Sequence, residues 1–267
     1  MDRNLEQQIL EVEERHWWYR GRRRVVSEVV RALDLPPGAQ ILDAGCGSGR
    51  NMVDLARVGT VTGIEIADAS AQRARARGVG DVVEASITDL PFEDGHFDLA
   101  VCLDVIEHIE DDVAALRELY RVVAPDGTLL VTVPAYQWLW SEHDVINHHQ
   151  RRYKRRTLAA AASSAGWVTV WSTYFNSWLL PVAAAHRRLS RLRHSFDEPV
   201  SDLQLTPERL NSVLEQPLRF EAWLIARGWT LPAGLSLMAL MRKGTGHASS
   251  QPTGARQQAG SRHRLRS

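Results

Sequence analysis

Ile41-Leu-Asp-Ala-Gly-Cys-Gly-Ser-Gly49 joins an apolar strand entry to an acid and three alternate glycines, the pattern of a turn that brings backbone against a ligand. The strand is expected to end near Ala44. Gly45, Gly47 and Gly49 then remove side chains where a Cβ would obstruct the approach or forbid positive φ. A small molecule bearing an adenosine group is the expected occupant.

Spacing separates the two ligand classes that use such a turn. A dinucleotide fingerprint G-x-G-x-x-G beginning at Gly45 requires glycine or alanine at position 50, and the residue there is Arg50. A dinucleotide-dependent oxidoreductase is therefore disfavoured. Asp43 instead completes D-x-G-x-G-x-G, which resembles motif I of class I S-adenosylmethionine-dependent methyltransferases.

A chain of 267 residues with 44% hydrophobic content can bury one sizeable core plus a small appendage. Cys46 lies in the glycine turn and Cys102 in an apolar strand, which does not suggest a disulfide framework. No basic-then-apolar leader precedes the charged opening Met1 to Arg15, and no apolar run reaches the roughly 18 to 20 residues that span a bilayer. A cytoplasmic protein is expected, soluble or peripheral to the inner face of the membrane.

The net charge of zero conceals an asymmetry: residues 1–150 carry 26 acids and 14 Lys/Arg, residues 151–267 carry 6 acids and 18 Lys/Arg. A basic second half points toward phosphate, pyrophosphate or an anionic membrane surface. No nucleic-acid motif accompanies it, and nucleic acid is not expected as a partner. Only Lys154 and Lys243 are lysines, so an arginine-rich codon bias explains the basic charge equally well.

Residues 5–33 read as helical, with His16-Trp-Trp-Tyr-Arg-Gly-Arg22 ahead of an apolar face through Val25, Val26, Val29, Val30 and Leu33. Strands are expected at 40–44, 60–66, 81–85, 97–103 and 127–133, with helices near 49–57, 69–77 and 111–123. Such alternation demands a parallel sheet with right-handed crossovers. Beyond Pro134 come a histidine-rich loop, a helix near 155–165, a strand at 167–173, an apolar and arginine-bearing stretch at 174–195, a helix at 206–227 and a last strand at 235–241.

This order of elements looks like the methyltransferase type 11 group, a likeness that covers residues 38–173. It implies an α/β, Rossmann-like sheet of seven strands in the order 3-2-1-4-5-7-6, last strand antiparallel, with helices on both faces. S-adenosylmethionine is the implied cofactor. The likeness sets its aminoacyl part in the turn of Asp43, Gly45, Cys46, Gly47 and Gly49, its ribose hydroxyls on Glu65 and its adenine on Ile66. In the stretch Ala85-Ser-Ile-Thr-Asp-Leu-Pro-Phe92 the family has an aspartate where this chain has Ser86. Ser86, the Ile87 amide and Asp89 are then the candidates for the adenine edge, and the Leu103 carbonyl for the cofactor's amino group. The H-W-W segment resembles an N-terminal lid over the cofactor, in which Trp17 or Trp18 stacks and Arg20 or Arg22 pairs with the carboxylate; ordinary helix packing of these aromatics is the alternative.

Methyl transfer from a sulfonium needs alignment and, where the acceptor carries one, removal of a proton. His143, His148 and His149 are the first candidates for that base and His108 the next, since imidazole titrates near neutrality. They lie beside Asp144 and the run Arg151, Arg152, Tyr153, Lys154, Arg155 and Arg156, whose guanidinium groups suit a phosphate. Asp104-Val-Ile-Glu-His108 resembles the metal-holding D-x-x-E-H of ubiquinone-pathway O-methyltransferases, and i, i+3, i+4 spacing shares one helical face. The E-H-I/V sequence is also widespread in the type 11 group without a metal, and no metal is assigned.

The reading comprises a helical lid at 1–37, a methyltransferase domain at 38–243 with a basic helical insertion near 174–230, and a disordered tail at 244–267. The expected acceptor is a small molecule or lipid-linked compound methylated at oxygen, with Tyr174 and Trp178 of residues 174–195 offered to a membrane surface. A packed helix there, and a non-catalytic protein that merely binds S-adenosylmethionine, are the alternatives.

Overall fold

The computed structural model describes residues 13–193 and 208–244, so residues 5–12 of the first expected helix, the connection 194–207 and the tail from 245 lie outside the described residues. Helix α1 (Trp17–Arg31) is followed by β1 (Gln40–Ala44), α2 (Arg50–Leu55), β2 (Thr60–Glu65), α3 (Asp68–Ala76), β3 (Asp81–Glu84) and β4 (Phe97–Leu103). Then come α4 (Asp112–Val122), β5 (Val123–Pro134), the short α5 (Glu142–Ile146), α6 (Arg155–Ser164), β6 (Trp167–Phe175), α7 (Leu180–Arg193), α8 (Glu208–Ala226) and β7 (Ser236–Lys243). The seven strands form one sheet in the order β3-β2-β1-β4-β5-β7-β6. β1 to β5 pair in parallel, and β7 runs antiparallel between β5 and β6.

Side-chain alternation divides the core into two layers, because successive residues of a strand face opposite sides of the sheet. Leu42, Ala44, Ala100 and Cys102 join the layer under α4 and α6, with Leu116, Leu119, Leu158 and Trp167. Ile41, Leu99, Val101 and Leu103 join the layer under α1 and α8, with Val25, Val29, Ala222 and Ile225. Asp43 shares the parity of Ile41, so its carboxylate belongs to the second layer and lies 1% exposed.

Three local expectations need correction. The first helix is not continuous across 5–33: His16 adopts extended backbone and accepts the Trp18 amide on Nδ1 as the N-cap of α1. β5 starts at Val123 rather than 127, because Ala124 to Gly127 is accommodated as a register shift against β4 between Phe97 and Leu99. β6 runs on to Phe175, so Tyr174 is a buried strand residue stacked on Tyr136, with ring centroids 5.0 Å apart. Trp178 packs on Trp17 at 5.7 Å. Of the two aromatics expected at a membrane surface, Tyr174 thus serves the interior and Trp178 is half-buried against Trp17, and no helix among the described residues is long and apolar enough to cross a membrane.

Candidate functional site

The glycine turn forms because β1 stops at Ala44 and the amides of Gly45 and Cys46 both donate to the Ile64 carbonyl of the neighbouring β2, each at 2.8 Å. Three positive φ values follow at Gly45, Gly47 and Gly49, +80°, +55° and +75°. Two of these glycines answer to the protein itself. A Cβ on Gly45 would stand 2.4 Å from Val105 Cγ2, and one on Gly49 would stand 2.9 Å from the Ala74 backbone. Gly47 differs: a Cβ there would meet nothing within 4 Å, so this edge of the turn faces open space. Gly45→Ala is expected to cost about 2–4 kcal/mol, combining left-handed strain with overpacking, measured as a shift of the denaturant midpoint.

Beneath the turn lies Asp43, both of whose carboxylate oxygens are buried without a hydrogen-bond partner. Burial pushes its carboxyl up to about 7; Arg22 works against that rise and Glu65 adds to it. An unpaired buried carboxylate is expensive unless something completes it. Glu65 closes β2 as expected, with Oε2 accepting the Gly47 amide at 2.9 Å and Oε1 the Ala67 amide at 2.9 Å. Each oxygen keeps a lone pair for a further donor. Ile66 is 75% exposed beside it, an uncovered apolar side chain where an adenine is expected. The Ser86 hydroxyl is engaged locally with Thr88, its Oγ accepting the Thr88 amide at 3.2 Å. Asp89 is exposed and Ile87 buried in the same turn. Burial raises the Cys46 thiol to about 12, which makes it an inert part of the turn.

Arg22 links the turn to the rest of the rim. Its guanidinium donates to the Leu103 carbonyl at 3.0 Å and pairs with Asp104 at 2.9 Å. The carbonyl expected to take the cofactor's amino group is therefore in contact with the residue expected to take its carboxylate. Trp18 packs edge-on against Trp17, at 6.0 Å, rather than lying alone over the turn. Ahead of α1, Glu14 pairs with Arg50 at 2.8 Å and with Arg77 at 2.9 Å, and Glu13 accepts from the Ser48 hydroxyl, so the start of the described chain is fastened across the glycine turn.

The D-x-x-E-H segment does not form one helical face. Asp104 has a φ of +55° and only Ile106–His108 make a short 3-10 turn. Asp104 points to Arg22 and accepts from Thr132 Oγ1 at 3.0 Å. Glu107 is fully buried with both oxygens unpartnered; burial and then Asp104 hold its carboxyl well above the usual range. Burial and the neighbouring His149 push His108 below an ordinary histidine. Glu107, His108 and His149 each bring a ligand-type atom within 4.8 Å of the others, so the convergence passes through a histidine from the next loop instead of Asp104.

The four histidine candidates part company here. His143 sits in α5, and its side chain lies outside the described residues; His148 is exposed, with a φ of +55°. His149 is the one held in place. Its Nδ1 is 2.8 Å from Asp144 Oδ1, and its ring meets that of His108 at 4.6 Å. Asp144 is itself fully buried and accepts from Arg152 Nε at 2.7 Å, Arg152 Nη2 at 3.0 Å, the Ser141 amide at 2.8 Å and the Ser141 hydroxyl at 3.0 Å. Burial opposes its ionisation, yet the bonds from His149 and Arg152 together hold the carboxyl well below the usual range. The sequence assigns no role to Asp144 and offers Arg152 to a phosphate, whereas the two are paired with each other. The five-residue spacing to His149 and the eight-residue spacing to Arg152 carry no periodic signal. Arg151, whose guanidinium is offered to a phosphate by the sequence, converges instead with Tyr153 on Asp112, at 3.0 and 2.6 Å.

Comparisons with known proteins agree with this geometry. Residues 42–131 match the family described as a methyltransferase domain. The ubiquinone biosynthesis O-methyltransferase of Xanthomonas oryzae pv. oryzae is 36% identical over 107 residues, covering 38% of this chain and 44% of that protein. Cycloartenol-C-24-methyltransferase 1 of Oryza sativa subsp. japonica is 27% identical over 191 residues, 60% of this chain and 54% of that protein. The chain thus spans about half the length of these curated relatives. In fold it resembles a chain of the complex between the Haloferax volcanii Trm112 methyltransferase activator and a methyltransferase, with a TM-score of 0.60, 17% identity and coverage of 91% and 95%. An unpartnered acid under a glycine turn, a strand-end glutamate and the matched segment agree: residues 42–131 carry a methyltransferase domain, and the likeness implies S-adenosylmethionine as its cofactor.

Proposed function

We propose that the chain transfers a methyl group from S-adenosylmethionine to an oxygen of a small-molecule or lipid-linked acceptor, with His149 as the base. The cofactor supplies a methyl group already activated on a sulfonium. Everything else falls to the protein. Asp43, Glu65 and the amides of the glycine turn hold and orient the donor, and α1 with its preceding acids covers the turn and excludes water.

The observation that carries this reading is the pair His149 and Asp144, 2.8 Å apart, with His149 against His108 just beyond the end of β4, the strand next to β1 and its glycine turn. Asp144 on Nδ1 orients the ring so that Nε2 takes the acceptor's hydroxyl proton, and the resulting imidazolium is stabilised by Asp144. A protein that bound the cofactor without turnover would have no use for such a pair. The test is direct. Isothermal calorimetry should show S-adenosylhomocysteine binding to the wild type and a loss of about 10- to 100-fold in Glu65→Ala, as expected when charged hydrogen bonds are removed. Equal affinities would reject the cofactor site.

The approach of Glu107, His108 and His149 to within 4.8 Å favours a second reading, in which they share a divalent cation near the acceptor. Turnover unchanged by chelator dialysis and by added magnesium or zinc would eliminate it.

A further inference from the structure

Four non-glycine residues among the described ones have positive φ: Asp104 at +55°, Tyr136 at +58°, His148 at +55° and Asn176 at +59°. Asp104, Tyr136 and Asn176 directly follow or closely trail the carboxyl ends of β4, β5 and β6. Because β5 and β6 both run antiparallel to β7, these ends share one edge of the sheet. Strained backbone of this kind gathers where a site has to be shaped. Asp104 belongs to the site already described; Asn176 does not.

Asn176 is fully buried, and neither its amide nitrogen nor its amide oxygen has a hydrogen-bond partner. Two residues on, the indole nitrogen of Trp178 is likewise buried and unpartnered. The backbone between them is fixed: Glu221 Oε2 accepts the Asn176 amide at 2.6 Å and Oε1 the Ser177 amide at 2.8 Å, while the Ser177 hydroxyl donates to the Ala233 carbonyl at 2.5 Å. Each unmet polar group is costly to bury, and phenylalanine in place of Trp178 would avoid the cost of its N–H. Trp178 packs on Trp17, which meets Trp18 in turn. All three indoles are partly exposed, and five residues along α1 from Trp17 stands Arg22, in contact with Leu103 and Asp104.

We propose that Asn176 and Trp178 read the acceptor, and that the acceptor presents to them an uncharged ring bearing adjacent hydroxyl groups. This rests on the methyltransferase reading and deepens it. A planar amide donates to one oxygen and accepts from its neighbour, the indole N–H donates to a third, and aromatic faces cover the apolar side of such a ring. An anion is disfavoured, because the Glu221 carboxylate lies against the backbone of Asn176 and Ser177 and no cation is hydrogen-bonded to the Asn176 side chain; Arg155 is engaged over the Tyr174 ring and on the Leu231 carbonyl. Phosphate carried by the acceptor would have to lie elsewhere.

The side-chain amide resonances of Asn176 and the indole resonance of Trp178, assigned by loss in Asn176→Ser and Trp178→Phe, report on this directly. With S-adenosylhomocysteine bound, titration with methyl α-glucoside or with myo-inositol is expected to shift both sets of resonances saturably, and inorganic phosphate is expected to leave them in place. Silence toward both ring compounds, or a response to phosphate, overturns the proposal. Trp178→Phe keeps the ring against Trp17 and removes the unmet N–H. It should retain or raise the melting temperature of the free protein while weakening the Asn176 response at least tenfold; a lowered melting temperature would overturn the proposal by showing a structural use for the N–H. Calorimetry separates the two levels: no heat with S-adenosylhomocysteine rejects the methyltransferase reading and this one with it, whereas bound S-adenosylhomocysteine with unmoved resonances rejects this one alone.

Discussion

Asp43→Asn is expected to yield a protein that is more stable above pH 7 than the wild type and that holds S-adenosylmethionine about 10- to 100-fold more weakly. The carboxyl of Asp43 is fully buried, unpartnered and raised to about 7, against an ordinary value of 3.8. Since its folded value exceeds its unfolded one, the folded state keeps a proton that the unfolded state gives up between about pH 4 and 7. Stability from this group is fully present below about pH 4 and is lost as pH rises through 7. The ionised form is disfavoured by on the order of 4 kcal/mol. Asparagine has nearly the same shape and no charge, so the variant should lack that slope. The two proteins should differ little near pH 4 and diverge toward pH 8, where a chain of this size gains about 10 °C in melting temperature. Removing the charge and turning one acceptor oxygen into an NH2 donor weakens cofactor binding at the same time. Parallel melting curves at every pH, or an unchanged calorimetric affinity, would remove Asp43 from the site.

The second large effect separates catalysis from folding within one cluster. His149→Ala removes the proposed base and leaves Asp144 paired with Arg152 at 2.7 Å, so the fold should persist while kcat falls about 10²- to 10⁴-fold. Asp144→Ala leaves Arg152 nearly buried without its carboxylate, at a cost of about 3–5 kcal/mol. One variant should thus melt normally and fail to turn over, and the other should melt early. Turnover within threefold of wild type in His149→Ala would assign the proton removal to another group. Partial recovery of that variant by free imidazole would place the defect at the proton itself.

Legibility in the sequence followed the range of the interaction. The glycine turn, Asp43 and Glu65 were readable because a strand end, a tight turn and the next strand end write their requirements into nearby residues. The alternation of strands and helices, joined to the likeness those motifs carry, was enough for the strand order that the sheet displays. Glu107 stood in a visible motif, but its meeting with His149 depends on a loop that leaves β5 and comes back. Asp104 looked like a member of the same helical trio and is instead turned away by its left-handed backbone. The segment from Tyr174 to Trp178 misled for a related reason. Composition marks aromatic residues beside arginines as interfacial, whereas register decides that Tyr174 is a buried strand residue and packing decides that Trp178 meets Trp17. Asn176 gave no signal at all, because an unmet amide is visible only once its surroundings are known.

The clasp formed by Glu13 and Glu14 has a bearing on the order in which this molecule comes into being. Glu14 reaches Arg50 across 36 positions of chain and Arg77 across 63. Partly exposed ion pairs gain little against the entropy of closing such loops, so the clasp is expected to settle after the buried strand pairings. The hollow over the turn is then finished late in folding and is the first part to open again, an order that amide-exchange rates at Ser48 and Gly49, measured against those of Leu42, would display.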